Sequence, residues 1–250
     1  MGKVNSKDGI YAIEKDRFDQ LMDKMPINAD GSPKLFPEAA KLRYSQPILN
    51  GVGTYVIDLK EQMGDKITCP CLARNDVFVP NNLGIYIKLY NATTKVTKMY
   101  PYAPYAPTGE ASVHAAGFTN EQIEALYHGQ LQMKQDSTTV LSSFPMEIFK
   151  TVPEVQGAFV LNSSDEAVSE HIQSQGNIAD FQQLLIPRYY LCGTRDLKFV
   201  IDFDAAGKTF PVTEGWTASL EVIMLGNLIK GGCEYFDNQN WTGGAVGRWG

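Results

Sequence analysis

The sequence predicts an all-β protein: an antiparallel β-sandwich with an N-terminal helix and one or two short inserted helices. Three observations carry this. Apolar residues recur with period two in several separate stretches, the signature of strands with one buried and one solvated face. Turn residues punctuate those stretches: Gly64-Asp65, Asn81-Asn82, Asn91, Gly157, Gly193, Gly207 and Gly215. Helical periodicity is confined to a few short segments. Many short strands separated by turns fit a sandwich or barrel better than a parallel sheet.

A helix comes first. Over residues 9–25, Ile10, Ile13, Phe18, Leu21, Met22 and Met25 share one face, with Asp8 placed to cap the start and Pro26 beyond the end. The next stretch, PINADGSPKLFPEAAKLRYSQP, is proline-rich and irregular, and predicts a linker or wrapping arm. The expected division is therefore 1–46 as helix and extended arm, 47–236 as the β body, and 237–250 as a Gly- and Trp-rich tail. The body could be one sandwich or two, split near residues 100–130.

Within the body, Tyr55, Ile57 and Leu59 alternate with Val56 and Asp58. Ile85, Ile87 and Leu89 alternate with Tyr86, Lys88 and Tyr90. Leu197, Phe199, Ile201 and Phe203 alternate with Lys198, Val200 and Asp202, and Leu220, Val222 and Met224 alternate with Ser219 and Glu221. Helical signals interrupt the body in only a few places. TNEQ at 119–122 is a capping box, with Ile123, Leu126 and Tyr127 behind it and Gly129 as the stop. Ser164 opens a weaker helix toward Ile172, and Asn177 caps a short one through Phe181 and Leu184.

Composition narrows the function. The 250 residues are 44% hydrophobic and 20% charged, which excludes global disorder. The net charge is −6 and no Lys/Arg run occurs, so direct nucleic-acid binding is not expected. No apolar run approaches the roughly 20 residues of a membrane-spanning helix. The N-terminus lacks the apolar core of a secretory signal, so synthesis in a cytoplasm is expected. Cys69-Pro-Cys71 has the wrong spacing for a zinc knuckle, and Cys192 and Cys233 sit in apolar sequence; all four cysteines are expected as buried free thiols.

No P-loop, dinucleotide fingerprint, G-x-S-x-G or H-E-x-x-H motif occurs. His114 lacks a ligand-spaced neighbour, and His128 suits the last turn of its helix, where a cation meets the dipole. Asp202 and Asp204 share a strand face and could act as paired carboxylates, but strand ends commonly carry Asp before a turn; Asp58 and Glu61 read the same way. No enzyme activity, cofactor, metal or small-molecule substrate is expected.

The candidate site is instead a contact surface. YPYAPYAPTG, at 100–109, places prolines after Tyr100, Ala103 and Ala106, which holds the chain extended. Its stiff, amphipathic rings suit an interface. Tyr100, Tyr102 and Tyr105, with Trp241 and Trp249 of the tail, are the expected intersubunit contacts.

Four stretches carry a family resemblance: EALYHGQLQMKQDSTTVL, FPMEIFKTVPEVQ, LIPRYYLCGTRDLKFVIDF and ASLEVIMLGNLIKGG. Their order, over roughly 120–232, resembles capsid proteins of tailless icosahedral bacteriophages with jelly-roll folds. The resemblance implies a jelly-roll-like body, single or double, in a structural virion protein made in the host cytoplasm. It implies partners that are copies of the chain, a trimer being the expected capsomer, and other virion proteins. Lacking an Arg-rich arm, such a shell would meet proteins or an internal membrane on its inner face. The alternatives are a carbohydrate- or receptor-binding module or tail component, using Tyr102, Tyr105, Trp216, Trp241 or Trp249, and a β-sandwich hydrolase using Asp202 or Asp204. Trp216, just before a strand, reads as core.

Overall fold

The computed structural model describes residues 15–23, 25–59, 72–100, 126–149, 183–184, 190–203 and 214–238. Residues 15–22 form helix α1. The strands are β1 (Pro37–Pro47), β2 (Thr54–Asp58), β3 (Val77–Asn91), β4 (Thr97–Tyr100), β5 (Gln130–Gln135), β6 (Thr138–Pro145), β7 (Gln183–Leu184), β8 (Leu191–Cys192), β9 (Leu197–Asp202) and β10 (Trp216–Ile229). A 3-10 turn (Met146–Phe149) follows β6, and a short helix α2 (Cys233–Asn238) follows β10.

The strands make two antiparallel sheets. One runs β1-β10-β3-β4, and the other runs β2-β9-β5-β6. On the side of β3 away from β10, three short strands follow one another: β8 beside Val77 and Phe78, β7 beside Asn82 and Leu83, and β4 from Ile87 to Tyr90. With β7 and β8 taken as one strand, the pairing is nested. β1 pairs with β10, β2 with β9, β3 with β7 and β8, and β5 with β6. Successive pairs alternate between the two sheets.

Period-two patterning explains why the sheets stack. From β3 the buried core takes Ile85, Ile87 and Leu89, and from β10 it takes Leu220, Val222 and Met224. The facing sheet contributes Tyr55, Ile57, Leu131, Met133, Leu197, Phe199 and Ile201. Trp216 joins this core at 9% exposure, as its position before a strand predicts. The core is thus one continuous layer between the sheets.

A β-bulge changes which face β3 presents. Leu225 lies opposite Asn82 but Gly226 lies opposite Pro80, so Asn81 is the extra residue. Before it Phe78 points into the core; after it Leu83 does. Gly226 is required here, because a Cβ would run into the Val79 carbonyl and Pro80 Cα. On the outer face beyond the bulge, a second core forms from Leu21 and Met25 of the N-terminal segment, Val77, Val79, Ile229 and Phe236. The predicted helix face is right at Leu21, whereas the helix ends at residue 22, short of the expected 25, and Met25 is buried in the bend beyond it; the stripe also holds Arg17, 7% exposed, whose guanidinium donates to the Asn81 carbonyl at 3.3 Å.

Four expectations need correction. Asn81-Asn82, expected as a turn between strands, lies inside β3, where Asn81 is the bulge residue. The stretch predicted as an irregular linker contains β1, paired with β10 over its whole length. Its flanking prolines fit, because Pro37 and Pro47 stand at the ends of a strand that pairs with β10 on one side. Leu184, expected to end a helix, pairs with Asn82 as part of β7. Cys192 and Cys233, expected as free thiols, form a disulfide with Cα atoms 5.5 Å apart. Both are buried where β8 meets α2, so the pairing comes from the fold and not from local spacing.

Candidate functional site

Sequence alternation places Glu221 on the solvated face of β10, yet its side chain is 0% exposed. The register explains where its partners come from: Ser45 of β1 and Tyr86 of β3 lie on either side of it. Arg43 Nε donates to Glu221 Oε2 at 2.6 Å. Oε1 accepts from Ser45 Oγ at 2.8 Å and Ser219 Oγ at 3.3 Å, and Lys88 Nζ stands 3.6 Å away. Beside this cluster Tyr86 and Ile223 are buried, with Met99 of β4 packed on them. A carboxylate engaged by one guanidinium, one ammonium and two hydroxyls has both oxygens occupied and is poorly placed to act as a base. Its evident role is to tie β1, β10 and β3 together on their outer face.

Between this cluster and the second core lies an open cleft of about 450 Å³. Its walls are residues 39–41 of β1, residues 225–227 of β10 and Asn81 of the bulge. Small side chains and the bulge make the depression. Asn81 Oδ1 is buried there without a hydrogen-bond partner.

Of the contact residues predicted from sequence, Tyr100 is the one described. It ends β4 opposite Ile87, at the margin of the larger sheet and on the side that β7 and β8 occupy. Tyr102, Tyr105, Trp241 and Trp249 lie outside the described residues, as do Cys69, Cys71, His114, His171, Glu61, Asp204, the capping box at 119–122 and the weaker helix from Ser164. Asp202 is exposed at the end of β9 and accepts from Thr54 Oγ1 at 2.9 Å, which is the role of a strand-end carboxylate. His128 follows helical residues 126–127 and sits 3.6 Å from Glu147, both side chains more than half exposed. Such surface pairs contribute little.

Among the described residues there is no group of three or more His, Cys, Asp or Glu side chains that could hold a metal ion, and no helix long and apolar enough to cross a membrane. No protein family, curated protein or solved structure matches the chain.

Glu221 is the residue that sequence reasoning missed. Alternation alone marks it as solvated. The available signal was the set of polar residues at matching alternation on two other strands, Arg43, Ser45 and Lys88, which only the register brings together.

Proposed function

We propose that this chain is a structural virion protein of a bacteriophage, a capsid protein whose body is a jelly roll. The observation that carries the reading is the nested strand pairing. Eight strands taken in sequence, with β7 and β8 as one and β4 as a side hairpin, order as first-eighth-third-sixth in one sheet and second-seventh-fourth-fifth in the other. That order is what results when one long antiparallel hairpin is rolled into two sheets, the double Greek key of viral shell proteins, lectins and cupins.

Fold alone does not choose among those. The capsid choice rests on the four sequence stretches that resemble phage shell proteins and on where the Tyr-Pro segment begins. Tyr100 closes β4 at the sheet margin, so the first residue of YPYAPYAPTG stands at the edge of the larger sheet. Proline stiffness lowers the entropy lost when such a segment docks. The proposed partners are further copies of the chain, in a closed oligomer such as a trimer, and other virion proteins, with the virion as the location.

The test is the double substitution Tyr102→Ala/Tyr105→Ala. The protomer should keep its β-sheet circular dichroism, and assembly should weaken at least tenfold in protein concentration. Normal particle formation by the double variant overturns the contact role.

A further inference from the structure

We infer that Cys192–Cys233 is a reversible redox latch that fastens α2 to the body. The bond joins the end of β8 to the first residue of α2, 41 residues apart, inside the second core. Both sulfurs also stand where a thiol would be satisfied. Cys192 Sγ lies 3.0 Å from Thr194 Oγ1, and Cys233 Sγ lies 3.0 Å from the Asp76 carbonyl oxygen. The dithiol therefore leaves no polar group stranded, and the same backbone accepts either state.

Hydrogen bonds and one buried aromatic also hold the elements around the latch. Asp76 Oδ1 accepts from the Gly231 N–H at 2.9 Å, and its carbonyl accepts from the Gly193 N–H at 2.9 Å. The Cys233 N–H donates to the Asn75 carbonyl at 3.1 Å. Phe236 supplies the apolar anchor, with Tyr190 and Tyr235 against its ring. A helix of six residues does not persist without tertiary contacts. Once the cross-link is gone, α2 can open locally while both sheets stay closed.

The exchange is balanced with a low-molecular-weight disulfide such as oxidised glutathione. One cysteine thiolate attacks that disulfide and releases one glutathione thiol. The second cysteine thiolate then displaces the other glutathione. Two cysteine S–H bonds and one glutathione S–S bond are lost, and one protein S–S bond and two glutathione S–H bonds form. Because both sulfurs are buried, exchange passes through the same local opening of α2. Nothing in this exchange requires the protein to be a virion component.

The full chain is equilibrated in glutathione buffers from fully reduced to fully oxidised. The Cys192–Cys233 bond is quantified by differential alkylation and peptide mass spectrometry, and amide hydrogen exchange is followed in parallel. The bond should form and break reversibly with β-sheet circular dichroism unchanged. On reduction, exchange at residues 190–195 and 231–238 should accelerate about tenfold or more, while β5 and β9 keep their protection. Cys233→Ser should exchange like the reduced protein in every buffer. A bond that yields only when the sheets unfold, reduction without faster exchange at 231–238, or a Cys233→Ser variant that cannot fold overturns the latch.

Discussion

Substituting Glu221 by Gln keeps the side chain's shape and removes its charge. The ionic contact of Arg43 Nε, 2.6 Å from Oε2, is then lost, and the amide NH₂ must face either that guanidinium or the two serine hydroxyls. Removing one partner of a fully buried ion pair costs about 3–5 kcal/mol. Here the Arg43 and Lys88 side chains keep 23% and 30% exposure, so water can recover part of their solvation. The Gln oxygen also retains one set of donors. The expected loss is about 2–3 kcal/mol. Arg43→Met should cost a similar amount, since Glu221 is then left with Lys88 and the serines. The two changes share one interaction, so the double variant should be less destabilised than the sum by about 1.5 kcal/mol. Urea unfolding followed by circular dichroism measures all three, with an unchanged m-value as the check that the comparison is valid. A Glu221→Gln loss below about 1 kcal/mol, or full additivity with Arg43→Met, refutes the role of this carboxylate as the tie between β1 and β10.

Phe199 is fully buried on β9, between β2 and β5, so Phe199→Ala should destabilise by about 3–5 kcal/mol in the same urea assay. Gly226→Ala places a methyl group against the β3 backbone at the bulge; thermal melting should show a clear drop in Tm, whereas Gly51→Ala, where a Cβ meets nothing within 4 Å, should show only the smaller strain of its φ of 78°. Burial pushes the Tyr55 hydroxyl above its ordinary value of 10.0. Its neutral form is thus favoured in the folded state, and that contribution is complete below pH 10.0 and lost as pH rises through the higher folded value. Unfolding free energy measured against pH should fall less steeply above pH 10 in Tyr55→Phe than in the parent chain.

The strands legible in the sequence are those with a clean two-residue period and a core on one side. Ile85, Ile87 and Leu89, like Leu197, Phe199 and Ile201, are buried as the pattern requires. β1 escaped because it offers only Leu42 and Tyr44 as buried apolar markers and begins and ends in proline. Those prolines suit a strand at the end of a sheet, which local reading cannot tell from an arm. β7 is too short to carry a period of its own. The outer face of the larger sheet was misread for a different reason. Alternation sorts side chains into two faces but does not say whether the second face is covered, and here Tyr86, Glu221 and Ile223 are all buried. The disulfide and the Glu221 cluster are both products of register, joining residues 41 and up to 178 positions apart, and no local spacing encodes them. Proline spacing marks the Tyr-Pro segment in the sequence, and its first residue, Tyr100, stands at the margin of the larger sheet.

The most direct test of the proposed shell function is the native mass of the purified chain by light scattering across a concentration series, with negative-stain imaging of the largest species. Trimers, rings or closed shells are the predicted result. A monomer at every concentration contradicts the proposal.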